Sequence, residues 1–391
     1  MKYDFETVLN RRETDSVKWH VKDGELPMWI ADMDFKAAPE IIGAIEERVK
    51  EGVFGYAEPF DSWYDAYISF YQDRHSLKIE KDWLLFSEGV VPTISSSVRK
   101  LTSVADQVVV LSPVYNIFYN SILNNGRAIK EVPLLFDGEN YLIDWDNLEK
   151  ALEEEKTTLM ILCNPANPIA KIWTKEELAR IGKMARENGV VVLSDEIHGE
   201  ITRPGLSYVP YLSASEENKK MSVIAVSPTK AFNLASFHTS AVIVPDKGLR
   251  KRVNRQLNTD EVSEPSTLAL VGAITALNEG RGWLDEMREK VFSNRDRVAS
   301  FLKEELPEVK MIGNEATYLL WLKIDEVASD STELLNFLRE KTGLILSDGK
   351  VYGGNGNRFL RMNVACPSAT LEDGLARLKR GITLFEKEKK D

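Results

Sequence analysis

The stretch TKEELARIGKMARENGVVVLSDE, residues 174–196, decides the fold class. Thr174 followed three positions later by Glu177 is a capping box, each side chain satisfying a backbone N–H at the start of a helix. The run through Met184 keeps helical spacing, and Gly189 ends it. The next residues, VVVLSDE, are a short apolar run of the kind that forms a strand buried on both faces. The same alternation extends outward from residue 83 to residue 244, where WLLF, VVVLSP, TLMILCNP, VVVLSDE, SVIAVSP and SAVIVP are separated by helical periods. This predicts an α/β fold whose large domain holds a mixed, mostly parallel sheet flanked by helices. Beyond about residue 263 the pattern changes to long helices, then the strand-like TYLLWLKI, another helix and FLRMNVAC. A smaller α+β domain is expected there. The division expected is 51–284 for the large domain, with 1–50 and 285–391 forming the small one. The first 50 residues lack sheet periodicity, and the lysine-rich tail EKEKKD reads as a frayed helix end.

Composition narrows the function. The chain has 391 residues, 43% hydrophobic and 28% charged, long enough for a large core in a soluble globular protein. Fifty Lys and Arg against 61 Asp and Glu leave a net charge of −11, which argues against a nucleic-acid partner. No apolar leader marks the N-terminus, and no run approaches the roughly 18 apolar residues of a membrane span, so a cytoplasmic protein without a membrane partner is expected. Cys163 and Cys366 lie far apart and read as two unrelated buried thiols.

Polar residues gather at strand ends: Ser87 to Val91, Asn164 to Pro168, Asp195 to His198 and Ser227 to Lys230. In open α/β sheets ligands bind where loops leave the carboxyl ends of parallel strands, so these four loops can converge on one site. Each is weak alone. A carboxylate such as Asp195 at a strand end is commonly a cap, and a lysine is ordinarily solvated. Lys230, however, lies between SVIAVSPT and AFNLASF, and burial there lowers its pKa toward the free amine that condenses with a carbonyl. GxSxG, GxxxxGK[ST] and HExxH are all missing, and the run GGNGN at 353–357 reads as a loop. His20, His75, His198 and His238 show no metal-ligand spacing, and no metal is expected.

Taken in order, SEGVVP, PVYNIFY, NPANP, SDEIHGE, SPTKAFNLA and FLRMNVACP resemble the class I/II aminotransferase superfamily of fold type I pyridoxal phosphate enzymes. MWIADMDF, GVVP, SDEIH and SPTKAFNLA resemble its branch of cystathionine and cysteine-S-conjugate β-lyases. The resemblance covers nearly the whole chain and implies pyridoxal 5'-phosphate as cofactor. It makes Lys230 the lysine that holds the cofactor covalently and moves the Cα proton, and Asp195 the partner of its ring nitrogen. Asn167 becomes the donor to its phenolic oxygen, with a cis bond to Pro168, and Tyr115 the aromatic stacked on its ring. The amides of Val90 and Val91, at a helix start, with the hydroxyls of Ser227 and Thr229, would take the phosphate. Tyr56 would reach the phosphate of a neighbouring subunit, implying a homodimer with shared sites. Arg361 would grip the substrate α-carboxylate through its guanidinium fork.

Three positions depart from the family pattern. His238 stands where many members carry a phosphate-binding arginine, and His198 where aminotransferases usually place a tyrosine near the phenolic oxygen. In NPANPIAK, Ala166 and Ala170 replace a common histidine and glycine. The function implied is α,β-elimination from cystathionine or a related amino-acid thioether to a thiol, pyruvate and ammonia. An aminotransferase is the first alternative, and a catalytically weak, cofactor-binding regulatory protein the second.

Overall fold

In the computed structural model, which describes residues 2–389, Thr174 caps its helix from both directions. Its hydroxyl accepts from the Glu177 amide at 3.1 Å and the Glu177 carboxylate accepts from the Thr174 amide at 2.8 Å. The helix therefore runs Lys175–Glu187, and Gly189, at φ +69°, turns the chain into the next strand. That left-handed conformation is one that glycine adopts without strain.

Seven strands form the large sheet: β1 Leu84–Ser87, β2 Gln107–Ser112, β3 Ala128–Pro133, β4 Thr157–Cys163, β5 Val191–Asp195, β6 Ser222–Val226 and β7 Ser240–Ile243. Their spatial order is β1-β7-β6-β5-β4-β2-β3, with β7 antiparallel to both neighbours and every other pairing parallel. Successive strand residues face opposite sides, and here both sides are buried. In β4, Leu159, Ile161 and Cys163 join one apolar cluster while Met160 and Leu162 join the other. The parallel strands put the ends of β2, β4, β5 and β6 along one edge.

A second sheet is wholly antiparallel, in the order Lys310–Ile312, Leu319–Lys323, Phe359–Asn363, Ser347–Asp348. The helices Ser331–Thr342 and Ser368–Glu388 bury Leu334, Leu338, Leu371 and Leu378 in its cluster. One long helix, Arg281–Glu305, serves both cores: Met287 and Val291 pack in the large one, Val298 and Leu302 in the small one. It runs unbroken through the expected division at 284/285. The N-terminal region is also shared, Phe5, Phe35 and Ile41 lying in the large core and Trp19, Leu26 and Met28 in the small one. The region lacking sheet periodicity nonetheless holds one short strand, Leu26–Pro27, paired in parallel with Leu344–Ile345. Two residues are too few to generate a readable period. In the lysine-rich tail the helix continues to Glu388, and the last two residues lie outside the described range. Among the described residues no helix is long and apolar enough to cross a membrane.

Candidate active site

The ends of four parallel strands surround one cavity of about 390 Å³. β2 leads to Tyr115, β4 to Asn167, β5 ends on Asp195 and leads to His198, and β6 leads to Thr229 and Lys230. All six line the cavity, together with Val90 and Val91 at the start of the helix Val90–Leu101. Arg361 lines an adjoining cavity of about 680 Å³, which shares Ala31, Tyr115 and Lys230 with the first. Tyr56 lines neither cavity and is fully exposed.

Burial dominates the electrostatics. The Asp195 carboxyl is pushed up to about 7, although the Ile197 amide, donating to Oδ1 at 3.1 Å, and the Lys230 charge pull it back. The Lys230 amine is drawn down to about 8 by burial, Asp32 and Asp195 opposing the shift and Arg361 adding to it. Its Nζ donates to the Ala31 carbonyl at 2.6 Å. Burial, with Lys230 and then Arg361, holds His198 down to about 3, so its ring is neutral at physiological pH. Its Nδ1 is buried without a hydrogen-bond partner. Tyr115 is raised to about 12, chiefly by burial.

Arg361 comes from the strand Phe359–Asn363, every position of which is buried. Its guanidinium donates to Asn167 Oδ1 at 3.2 Å and the Trp29 carbonyl at 3.1 Å, and lies 4.9 Å over the Tyr352 ring. The Nε is left without a partner. With Asn167 Oδ1 turned to Arg361, the Asn167 NH₂ remains as a donor.

No side chain caps the helix at Gly89, so its first amides are available to an anion. Ser227 is engaged with the protein: it donates to the Thr239 carbonyl at 2.6 Å and accepts from the Thr229 amide at 3.1 Å. Thr229 lines the cavity but its hydroxyl donates to Ser227 Oγ at 2.8 Å, so the buried Thr239 Oγ1 is the hydroxyl here left without a partner. His238, exposed and left-handed at φ +49°, lines the same cavity. In NPANPIAK the Ala166 amide donates to the Lys171 carbonyl at 2.8 Å, the Asn167–Pro168 bond is cis, and Ala170 sits at φ +55°, a conformation a glycine holds with less strain.

These residues fit a phosphorylated heteroaromatic aldehyde: an amine for the carbonyl, a carboxylate for a ring nitrogen, and amides with hydroxyls for a phosphate. Unpartnered buried atoms at His198, Thr239 and Arg361 are the kind that a bound polar group satisfies. Among the described residues no cluster of three or more His, Cys, Asp or Glu is placed to hold a metal.

Sequence reasoning gave no role to the strap Trp29–Asp34, yet Ala31 lines both cavities. Asn363 Nδ2 donates to the Ile30 and Asp32 carbonyls, each at 2.6 Å, and Tyr318 donates to Ala31 O at 3.1 Å. The available signal was the pair Asp32 and Asp34 inside an apolar run, since carboxylates drawn inside need cations.

Residues 30–378 match the family described as aminotransferase class I and II. The chain is 38% identical over 387 residues to cystathionine beta-lyase PatB of Bacillus subtilis, covering 97% of this chain and 100% of that one. It is 30% identical to protein MalY of Escherichia coli over 97% of this chain and 99% of MalY. Cystalysin of Treponema denticola, solved with pyridoxal 5'-phosphate, superposes with a TM-score of 0.95 at 29% identity, covering 98% and 99% of the two chains.

Proposed function

This chain belongs to the class I and II aminotransferase family, and from that premise we propose that it is a pyridoxal phosphate-dependent carbon–sulfur lyase. It cleaves cystathionine or a related cysteine thioether to a thiol, pyruvate and ammonia. The observation that carries the reading is a buried Lys230 sharing one cavity with Asp195, in a chain similar over its whole length to a named cystathionine beta-lyase.

When bound, pyridoxal phosphate supplies an electron sink for the pair left at the substrate Cα. Lys230 would hold it covalently and, as a free amine, would take the substrate Cα proton. Burial brings its amine to about 8, so an appreciable neutral fraction exists near pH 7. Asp195 would pair with the ring nitrogen; a carboxyl left near 7 by burial would become firmly anionic beside a cationic N–H and keep that proton in place. Asn167 would donate to the ring oxygen, Tyr115 would pack on the ring, and neutral His198 would complete the wall. The Val90 and Val91 amides with the Thr229 and Thr239 hydroxyls would hold the phosphate, on a turn shaped by Ser227. Arg361 binds the α-carboxylate. The adjoining cavity, with Trp29, Ile117, Leu346 and Val351 in its wall, takes the sulfur substituent. The Cβ–S bond breaks with its pair leaving on sulfur, and water converts the three-carbon enamine to pyruvate and ammonia.

The test offers cystathionine, cystine and S-aryl cysteines to the purified protein without any keto acid. Pyruvate, ammonia and the sulfur product, a thiol or, from cystine, the persulfide thiocysteine, should appear in equal amounts, and Lys230→Ala should abolish them. Amino transfer to 2-oxoglutarate with no thiol or persulfide released from any of the three would overturn the reading in favour of an aminotransferase.

The enzyme acts as a homodimer in the cytoplasm, with Tyr56 reaching the partner's phosphate site. Val53, Phe54, Tyr56 and Phe60, each more than half exposed within eight residues, support an interface there. The free, buried Cys163 and Cys366 suit a reducing compartment.

A further inference from the structure

We propose that the strap Trp29–Asp34 is a working part of the site: the Ala31 carbonyl receives the Lys230 amine whenever it is free, and the Asp32 carboxylate is a positioning group for that amine. The proposal rests on reading Lys230 as the cofactor lysine.

The strap is fixed from several directions. Met33 is bracketed by Asn233, three residues after Lys230, whose Oδ1 accepts from the Met33 amide at 3.0 Å and whose Nδ2 donates to the Met33 and Phe35 carbonyls at 3.1 and 2.9 Å. Asn363 holds the Ile30 and Asp32 carbonyls. Both residues assigned to substrate chemistry reach the strap, Arg361 at Trp29 O and Lys230 at Ala31 O. Asp32 itself is held asymmetrically. Its Oδ2 accepts from Arg11 at 2.8 Å, while Oδ1 is buried without a hydrogen-bond partner, 3.5 Å from the Lys18 ammonium. Arg11 and Lys18 also bind Asp34, at 2.8 and 2.7 Å, so two cations are shared between two carboxylates, and removing the Asp32 charge would leave the cluster net positive.

A released amine has two needs. It must stay near the substrate as a base, and it must be tolerated as an ammonium after taking a proton. A carbonyl accepts from either form, and a neighbouring carboxylate favours the charged one. The charged groups facing Lys230 are Asp32 on the strap, Asp195 at the end of β5 and Arg361 on the small sheet; Tyr115, Tyr318 and His198 are neutral. Among these charges Asp32 acts most strongly on the amine, ahead of Arg361 and Asp195.

The test uses the full chain freed of bound carbonyl compounds. It is mixed with pyridoxal phosphate between pH 6 and 10, quenched early with borohydride, and the Lys230 peptide adduct is quantified. Wild-type capture should rise with pH around a midpoint near 8. Asp32→Asn, which keeps the shape and removes the charge, should move the midpoint down by roughly half a pH unit or more, so that capture at pH 7 is about threefold faster relative to its plateau. Asp32→Glu should restore it. Loosening of the strap predicts the opposite sign, because an exposed lysine titrates near its ordinary 10.5. An unmoved or raised midpoint in Asp32→Asn overturns the proposal, and if that variant does not fold, Asp32→Ser must give the same downward shift. Adduct on a different lysine would instead sink the reading of Lys230.

Discussion

Arg361 is a buried cation whose hydrogen-bond partners among the described residues are all neutral: an amide oxygen, a backbone carbonyl and, at 3.5 Å, the Ser347 hydroxyl. An unpaired charge inside a protein is costly, and a substrate carboxylate is the group that would offset it. Arg361→Lys should weaken substrate binding by about 1–3 kcal/mol, since an ammonium cannot make two parallel bonds to a carboxylate. KM for the thioether should rise, while the melting temperature stays level or increases. An unchanged KM would place the carboxylate clamp elsewhere. Glu196, the neighbour of Asp195, shows the opposite economy. It accepts from Ser194, the Tyr211 amide, Tyr208 and Asn164, yet full burial still pushes its carboxyl up to about 7. Unfolded glutamate ionises near 4.5, so as pH rises from 4.5 through 7 the unfolded state releases its proton first and the folded state loses stability. Glu196→Gln mimics the protonated form and removes this loss. Thermal melts should show the variant gaining on the wild type by up to about 3 kcal/mol between pH 5 and 7.5, with no further change above. A constant difference across that range would mean that Glu196 is already ionised when folded. Of these two residues Arg361 is assigned from family likeness alone, because a lone arginine on FLRMNV carries no mark of its burial; nothing in the sequence singled out Glu196.

Among elements, the strands of the large sheet were legible because both faces are buried and the runs are short, apolar and bounded by capped helices. The strap was not. Its carbonyls are met by the side chains of Asn363 and Asn233 and its charges by Arg11 and Lys18, partners hundreds of residues away or outside any periodic pattern. Asn363→Ala should therefore act well beyond its own strand. It removes two 2.6 Å bonds, and the Ala365 amide loses its acceptor at 2.8 Å. A loss of about 2–4 kcal/mol is expected in denaturant melts, together with faster proteolysis within residues 28–36. A melt shifted by less than about 1 kcal/mol would show that Asn233 alone secures the strap.

For the whole molecule, the long helix Arg281–Glu305 and the strap tie the two cores together, so the site between them depends on both. The segment from Val53 to Phe60 leaves Val53, Phe54, Tyr56 and Phe60 exposed to solvent in the single chain. If Tyr56 acts across a dimer, Tyr56→Ala and Lys230→Ala chains should each be inactive alone but regain part of the activity when co-refolded, since hybrid dimers contain one site with both native residues. Hybrids isolated by affinity tags that show no recovery would count against shared sites.

The order and type of the main elements followed from the sequence because capping, helical period and short apolar runs are local and strong. Lys230 was also distinguished locally, as a charge set in apolar surroundings, and the ordered motifs supplied its chemistry. What only the tertiary structure decided was which atoms meet: Lys230 with the Ala31 carbonyl, Arg361 with Asn167 and Trp29, and Asn363 with the strap. These contacts join residues about 200 to 330 positions apart and, apart from Arg361 with the Asn167 side chain, go through backbone carbonyls that every residue type possesses. The identity of a side chain cannot announce such a partner, because the partner exists only where folding brings a carbonyl and a buried donor within 3 Å or so.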